Sequence, residues 1–507
     1  MNAPIKNPVA ARPDVETAIV GTGFSGLGMA IQLLKSGRKD FAIFEKASTV
    51  GGTWRENTYP GCACDVPSHL YSFSFEPNPN WSRMFAPQEE IRGYIEHCVE
   101  KYALTPYIRF NKEITQIRYD DATQLWNILT SDGGSVSARK VISGMGPLHK
   151  PVYPTLKGID SFEGETFHSA TWDHDFDFSG KRVAVIGTGA SAIQFVPQIV
   201  PKVAALTLFQ RTPPWVMPKA DRDMKPWEKS IFSVSPFLQK LFRGKIYVQM
   251  EMRALGFTVN PKLMSKVRDM GVEHIANTID DEALRAQLTP DFMPGCKRLL
   301  QSNDYYPSLN QSHVDVVSSG VAEVKAHSIV TETGEEIEVD AIIYGTGFEA
   351  ADPVAKGQII GPKGQDLAAM WADKGAEAYL GTSVSGFPNL FFMTGPNTGL
   401  GHNSIILMIE AQVGYILDAL DLMDKKELAT LDVREDIQRS YNDSLQEKIK
   451  KTVWSTGCDS WYQREDGKNT TLWPSFTFSY MRRMNQFNPE DYVLSSPKLA
   501  LTPQAAE

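Results

Sequence analysis

The chain is short of cysteine, of histidine, of surplus positive charge and of long apolar runs, and each shortage removes a class of function. Its five cysteines, Cys62, Cys64, Cys98, Cys296 and Cys458, are scattered through 507 residues and odd in number. That usage fits a reducing compartment and offers no disulfide framework. Cys62 and Cys64 stand one residue apart, which is not the spacing of a redox pair, so both are expected to pack as small apolar groups. His168 and His174 lie near Asp173 and Asp175, but at no zinc-binding spacing, and no metal is expected. With 51 Lys and Arg against 60 Asp and Glu, the net charge is −9, which leaves no basic face for nucleic acid. No apolar run reaches the roughly 18 residues of a spanning helix. Residues 1–14 also lack the apolar centre of a secretion signal, so the expectations are no transmembrane segment and a cytoplasmic location.

What the chain does have is a globular balance, 42% hydrophobic and 22% charged, and enough length for two or three full cores. It also has two glycine turns of one design. The first reads Gly21-Thr22-Gly23-Phe24-Ser25-Gly26 and the second Gly187-Thr188-Gly189-Ala190-Ser191-Ala192. Each follows a short apolar run, Glu16 to Val20 and Arg182 to Ile186, and the first leads into a helical pattern around Met29 to Leu34. That strand, turn and helix context separates a dinucleotide-binding unit from an ordinary tight loop. The glycines let backbone approach a pyrophosphate, which then sits on helix N-terminal amides. Ala192 stands where the third glycine belongs, at a position that needs only a small side chain.

The residue 24 positions past the first glycine differs in sign between the turns, Glu45 in one and Arg211 in the other. A carboxylate there accepts from free ribose hydroxyls and repels a 2′-phosphate; a guanidinium pairs with that phosphate through its fork of donors. One site therefore suits FAD or NAD and the other NADP(H). Together they predict an electron relay.

The expected fold is α/β, with two Rossmann-like three-layer dinucleotide-binding domains of the disulfide-reductase and flavin-monooxygenase type. Residues 1–14 are a disordered lead-in, 15–147 and 385–490 a discontinuous FAD domain, 148–180 a Pro-, Gly- and aromatic-rich linker, 181–384 the NADP domain, and 491–507 a tail. A helical insert, about 221–289, interrupts the second unit and is heavy in Phe, Met and Leu. Three readings of it stay open: ordinary core, a lid over a hydrophobic substrate, or a membrane-facing patch.

The linker carries Phe162, Gly164, His168, Trp172 and Asp173 as FxGxxxHxxxWD. This string resembles the fingerprint of the type I Baeyer-Villiger monooxygenases, in the class B flavoprotein monooxygenases. The resemblance runs from about residue 15 to 480 through Gly51-Gly52-Thr53-Trp54, Asp65-Val66-Pro67-Ser68, Gln210-Arg211-Thr212-Pro213, Lys297-Arg298, Gly345-Thr346-Gly347-Phe348 and Gly395-Pro396-Asn397-Thr398-Gly399. Two departures are Gly345, where the family has alanine, and the tail after Trp461, which lacks the usual glycine-rich loop.

The resemblance implies FAD and NADP(H) as cofactors and a small-molecule ketone and dioxygen as reactants. Reduced flavin would take up oxygen as a peroxide whose anion inserts one oxygen beside the carbonyl, giving an ester or lactone. It makes Arg298 the fixed cation for the developing negative charge and Asp65 its counter-charge. Gly21, Gly23, Phe24, Ser25, Gly26, Glu45, Gly52, Thr53, Trp54, Asp65, Tyr71, Thr346, Gly347 and Asn397 are then expected around the cofactors. Gly187, Thr188, Gly189, Ala190 and Ser191 would cradle the NADP pyrophosphate, with Arg211, Thr212 and Lys297 on its 2′-phosphate. Trp461 is either a loop residue reaching the nicotinamide or ordinary core. His168 and Trp172 are expected to tie the linker to the domains. The competing readings are N- or S-oxygenation by a related flavin-containing monooxygenase and a non-catalytic NADP(H)-binding redox sensor. A monomer or weak homo-oligomer is expected.

Overall fold

In the computed structural model, residues 11–148, 150–349 and 354–497 are described. Two sheets organise the chain. The first is built on strand Val15–Val20, whose apolar, β-branched residues are almost wholly buried. It pairs in parallel with Phe41–Phe44 on one side and Ser135–Ser143 on the other. Helix Phe24–Lys35 makes the crossover between the first two strands. An antiparallel meander, Ile114–Asp120, Leu125–Thr130 and Ser135–Ser143, extends this sheet. The last of these is long enough to serve two neighbours on the edge away from Val15–Val20: Ser135–Ala138 faces the meander, and Val141–Ser143 pairs in parallel with Leu390–Phe392.

The second sheet is entirely parallel, in the order Val314–Val317, Ala205–Phe209, Arg182–Ile186, Ala341–Tyr344, Glu165–His168. Both sheets thus place the glycine turn at the carboxyl end of a central strand, where open α/β sheets bind ligands. A three-stranded antiparallel meander, Val321–Val324, Ser328–Thr331 and Glu336–Glu338, leads back into strand Ala341–Tyr344.

Three expectations about layout need correction. The stretch read as a linker contributes an edge strand, because Glu165–His168 pairs with Ala341–Tyr344 and buries Phe167 and His168. The chain also re-enters the first sheet well before residue 385. Ile359–Ile360 pairs with Ile117 and Arg118, and helix Leu367–Lys374 packs Leu367 and Trp371 into that sheet's core. Residues 1–10 of the expected lead-in and 498–507 of the tail lie outside the described residues, but Asp14 is anchored by its backbone N–H on the Ser137 carbonyl at 3.1 Å.

The insert is helical as its periodicity predicts: Pro226–Val234, Pro236–Met252, a π-helical turn Leu255–Val259, Met264–Ala276 and Glu282–Leu288. Helix Ile405–Lys425, capped by the Ser404 hydroxyl on Ile406 N–H, packs along helix Phe24–Lys35 and closes the first sheet's face. Among the described residues no helix is long and apolar enough to cross a membrane.

Candidate active site

Steric crowding explains the glycines of the first turn. A Cβ on Gly26 would fall 2.0 Å from the Gly21 carbonyl oxygen, and Gly21 itself, at φ +92°, would place a Cβ 2.9 Å from the Gly144 carbonyl oxygen. Gly52, at φ +52°, brings its backbone against the Gly23 α-carbon. Helix Phe24–Lys35 begins at Gly23 with no side-chain cap, so its first amides stay available to an anion. A pyrophosphate fits this cradle. Glu45 is buried here with both carboxylate oxygens engaged: one by the Thr22 hydroxyl at 2.5 Å and the Thr22 N–H at 3.1 Å, the other by Ala47 N–H at 3.0 Å and Arg55 at 2.9 Å. Phe24 packs edge-on against Tyr71 at 5.3 Å, and the Trp54 indole N–H donates to the Tyr71 hydroxyl at 3.2 Å.

The second turn repeats the design. Gly187, at φ +106°, would place a Cβ 2.5 Å from the Gly345 carbonyl oxygen. The Ala192 and Gly345 substitutions meet at one point: a Cβ on Gly345 would lie 3.2 Å from the Ala192 Cβ. The methyl group gained where a third glycine is usual faces the one missing at residue 345. Helix Ala192–Ile199 again starts without a side-chain cap. Thr188 donates its hydroxyl to the Thr212 carbonyl at 3.4 Å, which holds the loop after strand Ala205–Phe209 beside the turn.

Arg211 follows that strand and is exposed, and Lys297 lies close to it. Partial burial and the neighbouring Arg211 charge both hold the Lys297 ammonium below its ordinary pKa. Two neighbouring cations that repel one another form a site for a doubly charged anion. A 2′-phosphate fits it.

Asp65 and Arg298 meet between the two sheets. Asp65 belongs to the segment after the first turn, and that segment is docked on the second nucleotide helix. Tyr59 donates to the Gln194 side-chain oxygen at 2.9 Å, and Gln194 donates to the Ala63 carbonyl at 2.9 Å. Arg298 lies two residues before Leu300, in strand Leu300–Gln301, which pairs with Val216–Met217. The guanidinium donates to Asp65 Oδ2 at 2.5 Å, and the two side chains are 34% and 33% exposed. Burial pushes the Asp65 carboxyl up, but the Arg298 charge and bond outweigh it and hold the pKa below the usual range. Asp65 in turn raises the arginine further above its ordinary value. The pair is fixed in its charged form.

Sequence reasoning missed two partners of this pair. The Tyr462 phenol, buried, accepts from Arg298, and burial keeps its proton in place by raising its pKa. Lys219 donates to the Cys64 carbonyl at 3.2 Å and adds a second cation facing Asp65. Adjacency to Trp461 was the only signal for Tyr462; nothing in the string marks Lys219. Phe257, Met264, Trp454, Tyr462 and Leu472 form an apolar cluster beside the arginine, so the cation opens onto a greasy wall.

Two sulfurs require a correction. Cys296 and Cys458, expected as free thiols, form a disulfide with Cα atoms 6.2 Å apart. It staples the segment carrying Lys297 and Arg298 to the segment carrying Trp461 and Tyr462. Cys62, Cys64 and Cys98 are free and buried, and burial pushes the Cys62 thiol up to about 12, so it packs rather than reacts.

The remaining expected residues are distributed as follows. Trp461 is 49% exposed and leans on Tyr462 with ring centres 4.4 Å apart. Asn397 is buried and spends its amide on the Asn469 and Leu472 carbonyls at 2.8 and 3.1 Å. Thr346 donates to the Val152 carbonyl, and Gly347, at φ +85°, has open space where a Cβ would stand. In the linker, a Cβ on Gly164 would lie 2.3 Å from the Asp340 carbonyl oxygen and 2.6 Å from the Phe162 ring. His168 is fully buried; its Nδ1 accepts from Ala170 N–H at 3.0 Å, and burial lowers its pKa. Trp172 packs between Phe167 and Phe195 at 5.1 and 5.2 Å, and Asp173 accepts from Asp175 N–H at 2.9 Å. These contacts are structural. Among the described residues no cluster of His, Cys, Asp and Glu could hold a metal.

Residues 14–367 match the flavin-binding monooxygenase-like family. A "Baeyer-Villiger monooxygenase" of Pseudomonas aeruginosa is 53% identical over 495 residues, covering 97% of this chain and 94% of the relative. One of Streptomyces coelicolor is 47% identical, covering 95% and 93%. Among solved structures, OTEMO in complex with FAD and NADP superposes with a TM-score of 0.86 at 26% identity, covering 96% of this chain and 100% of that one. Oxidized steroid monooxygenase bound to NADP gives a TM-score of 0.84 at 28% identity, covering 95% and 99%.

Proposed function

This chain belongs to the Baeyer-Villiger monooxygenases, within the flavin-binding monooxygenase-like family, and from that premise we propose that it inserts one atom of dioxygen beside a ketone carbonyl, at the expense of NADPH, to give an ester or lactone. FAD held at the first glycine turn would supply the oxygen activation, with NADPH held at the second as its source of electrons. The protein supplies position and charge. Gly21, Gly23, Ser25 and Gly26 offer backbone to the FAD pyrophosphate, with Glu45 at its ribose. Arg211, Thr212 and Lys297 take the 2′-phosphate that distinguishes NADPH from NADH.

The observation that carries the reading is the Asp65, Arg298 and Tyr462 arrangement. Negative charge develops on the carbonyl oxygen as the ketone is attacked. A preorganised cation beside that oxygen lowers the barrier without reorganisation at the moment of reaction. An arginine cannot lose its proton at working pH. Asp65 orients the guanidinium from one side and Tyr462 from another, leaving the remaining N–H groups for the reacting oxygen. Transfer of oxygen to an amine or sulfide uses a neutral oxidant and needs no such cation, which favours ketones. The apolar cluster of Phe257, Trp454 and Leu472 gives the hydrophobic part of a ketone its surface.

The test is a product screen by gas chromatography with the flavin-loaded protein, NADPH and a panel of linear, cyclic and aryl ketones. Esters or lactones formed in step with NADPH consumption are expected. Consumption that yields only hydrogen peroxide with every ketone, together with rapid oxygenation of amines, overturns the reading in favour of heteroatom oxygenation.

A further inference from the structure

Helices Pro226–Val234 and Pro236–Met252 bury Phe232, Ile246 and Met250 against the core together with several polar anchors. Polar groups of the second helix face inward. Gln239 donates to the Asn78 carbonyl at 2.8 Å, and Arg243 donates to the His69 and Ser72 carbonyls at 2.6 and 3.0 Å. Glu251 is buried, accepting from Asn403 at 2.7 Å and from Phe478 N–H at 3.1 Å. On the first helix Glu228 is likewise buried and held by Arg222 at 2.7 Å.

A second set of apolar residues faces out. Trp227, Ile231 and Val234 make a stripe at helical spacing on the first helix, and Phe237, Leu241 and Val248 continue it on the second. Trp227 is 58%, Phe237 68% and Val234 85% exposed. A contiguous apolar face of this kind marks an interaction surface rather than scattered exposure.

The charges along the stripe say what covers it. Residues 225–252 contain Lys225, Lys229, Lys240, Arg243 and Lys245 against only Glu228 and Glu251, and both acids are buried and satisfied. Among the described residues, Lys240 and Lys245 flank the stripe with no carboxylate partner. The exposed charge of this face is therefore all positive on a chain whose net charge is −9. A second copy related by two-fold symmetry would set lysines against lysines. An anionic surface with an apolar interior matches both features, and short helices with a basic flank lie in the plane of such an interface.

We propose that this face of the insert docks on the surface of an anionic phospholipid bilayer, with the Trp227 to Val248 stripe in the headgroup layer and Lys240 and Lys245 on lipid phosphates. The attachment is peripheral.

The experiment is flotation of the full-length, flavin-loaded protein with vesicles of phosphatidylcholine containing phosphatidylglycerol, and with phosphatidylcholine alone. Binding to the anionic vesicles that weakens with added salt is expected. Lys240→Glu with Lys245→Glu should weaken it about tenfold or more, and Phe237→Ser with Leu241→Ser should abolish it. Flavin content and NADPH oxidation, read on the same samples, should be unchanged in all variants, which separates lost docking from lost folding. Equal binding by wild type and both double variants overturns the proposal, as does no vesicle binding by the wild type. A sedimenting dimer that Phe237→Ser with Leu241→Ser dissociates, without vesicle binding, would identify a second copy as the occupant and overturn it too.

Discussion

Arg298 donates to the Asp65 carboxylate at 2.5 Å although 233 residues separate the two in the chain. The pair is assembled by two unrelated segments, one docked on the helix after the second glycine turn and one leading into a two-stranded ribbon. Its geometry is therefore a property of how the two sheets meet.

Removing the guanidinium should separate the reductive from the oxygenating half of the reaction. In Arg298→Ala, ester formation should fall by about a hundredfold or more, the effect of losing a preorganised donor to a developing oxyanion. Anaerobic bleaching of the flavin by NADPH should persist, since Arg211 and Lys297 are untouched. Stopped-flow absorbance and product chromatography give the two readouts, and unimpaired ester formation would remove Arg298 from this role.

The charged pair also sets an acid limit on stability. Asp65 has a folded pKa below its unfolded one, so its contribution is fully present above the unfolded value and is lost as pH falls through the depressed folded value. In Asp65→Asn that contribution is absent at every pH. Urea midpoints of wild type and Asp65→Asn should differ at neutral pH and converge as the pH drops below about 4. A gap that stays constant into acid would show that the ion pair is not its source.

Cofactor choice should rest on Arg211. Arg211→Ala should raise the Michaelis constant for NADPH by roughly tenfold to a hundredfold, the size of a lost charge-assisted contact. NADH should change little, because it has no 2′-phosphate to hold. Equal effects on both coenzymes would place the phosphate elsewhere.

The staple between Cys296 and Cys458 closes a separation of 162 residues. Cys458→Ser should lower stability by about 2–4 kcal/mol, and dithiothreitol should bring the wild type to the same thermal midpoint while leaving the variant unmoved. Limited proteolysis should cut faster near residues 456–467 in both cases. A variant that melts with the wild type would show that packing around Trp454 and Tyr462 suffices to hold the loop.

The local signals were legible wherever a short stretch of sequence has only one backbone solution. Gly26 admits no Cβ against Gly21, and Gly187 admits none against Gly345; such turns announce themselves. The insert's helices followed from its period. Register was less legible: Ile359–Ile360 is two residues long, and its pairing with Ile117 and Arg118 is a long-range event without a local pattern. The same holds for the edge strand Glu165–His168: Gly164 before it and the aromatics around it read as a linker, and only its pairing with Ala341–Tyr344 makes it a strand.

The sequence by itself showed two nucleotide-binding turns, the opposite charges of Glu45 and Arg211 behind them, and the family resemblance, because each of these is carried by short strings whose residues lie close together in the chain. Only the tertiary structure decided that Tyr462 joins Asp65 and Arg298, that Cys296 reaches Cys458, and that the insert leaves the stripe from Trp227 to Val248 exposed. Those are meetings between segments far apart in the chain, and the free energy that selects them comes from packing and desolvation over the whole interface rather than from any local preference.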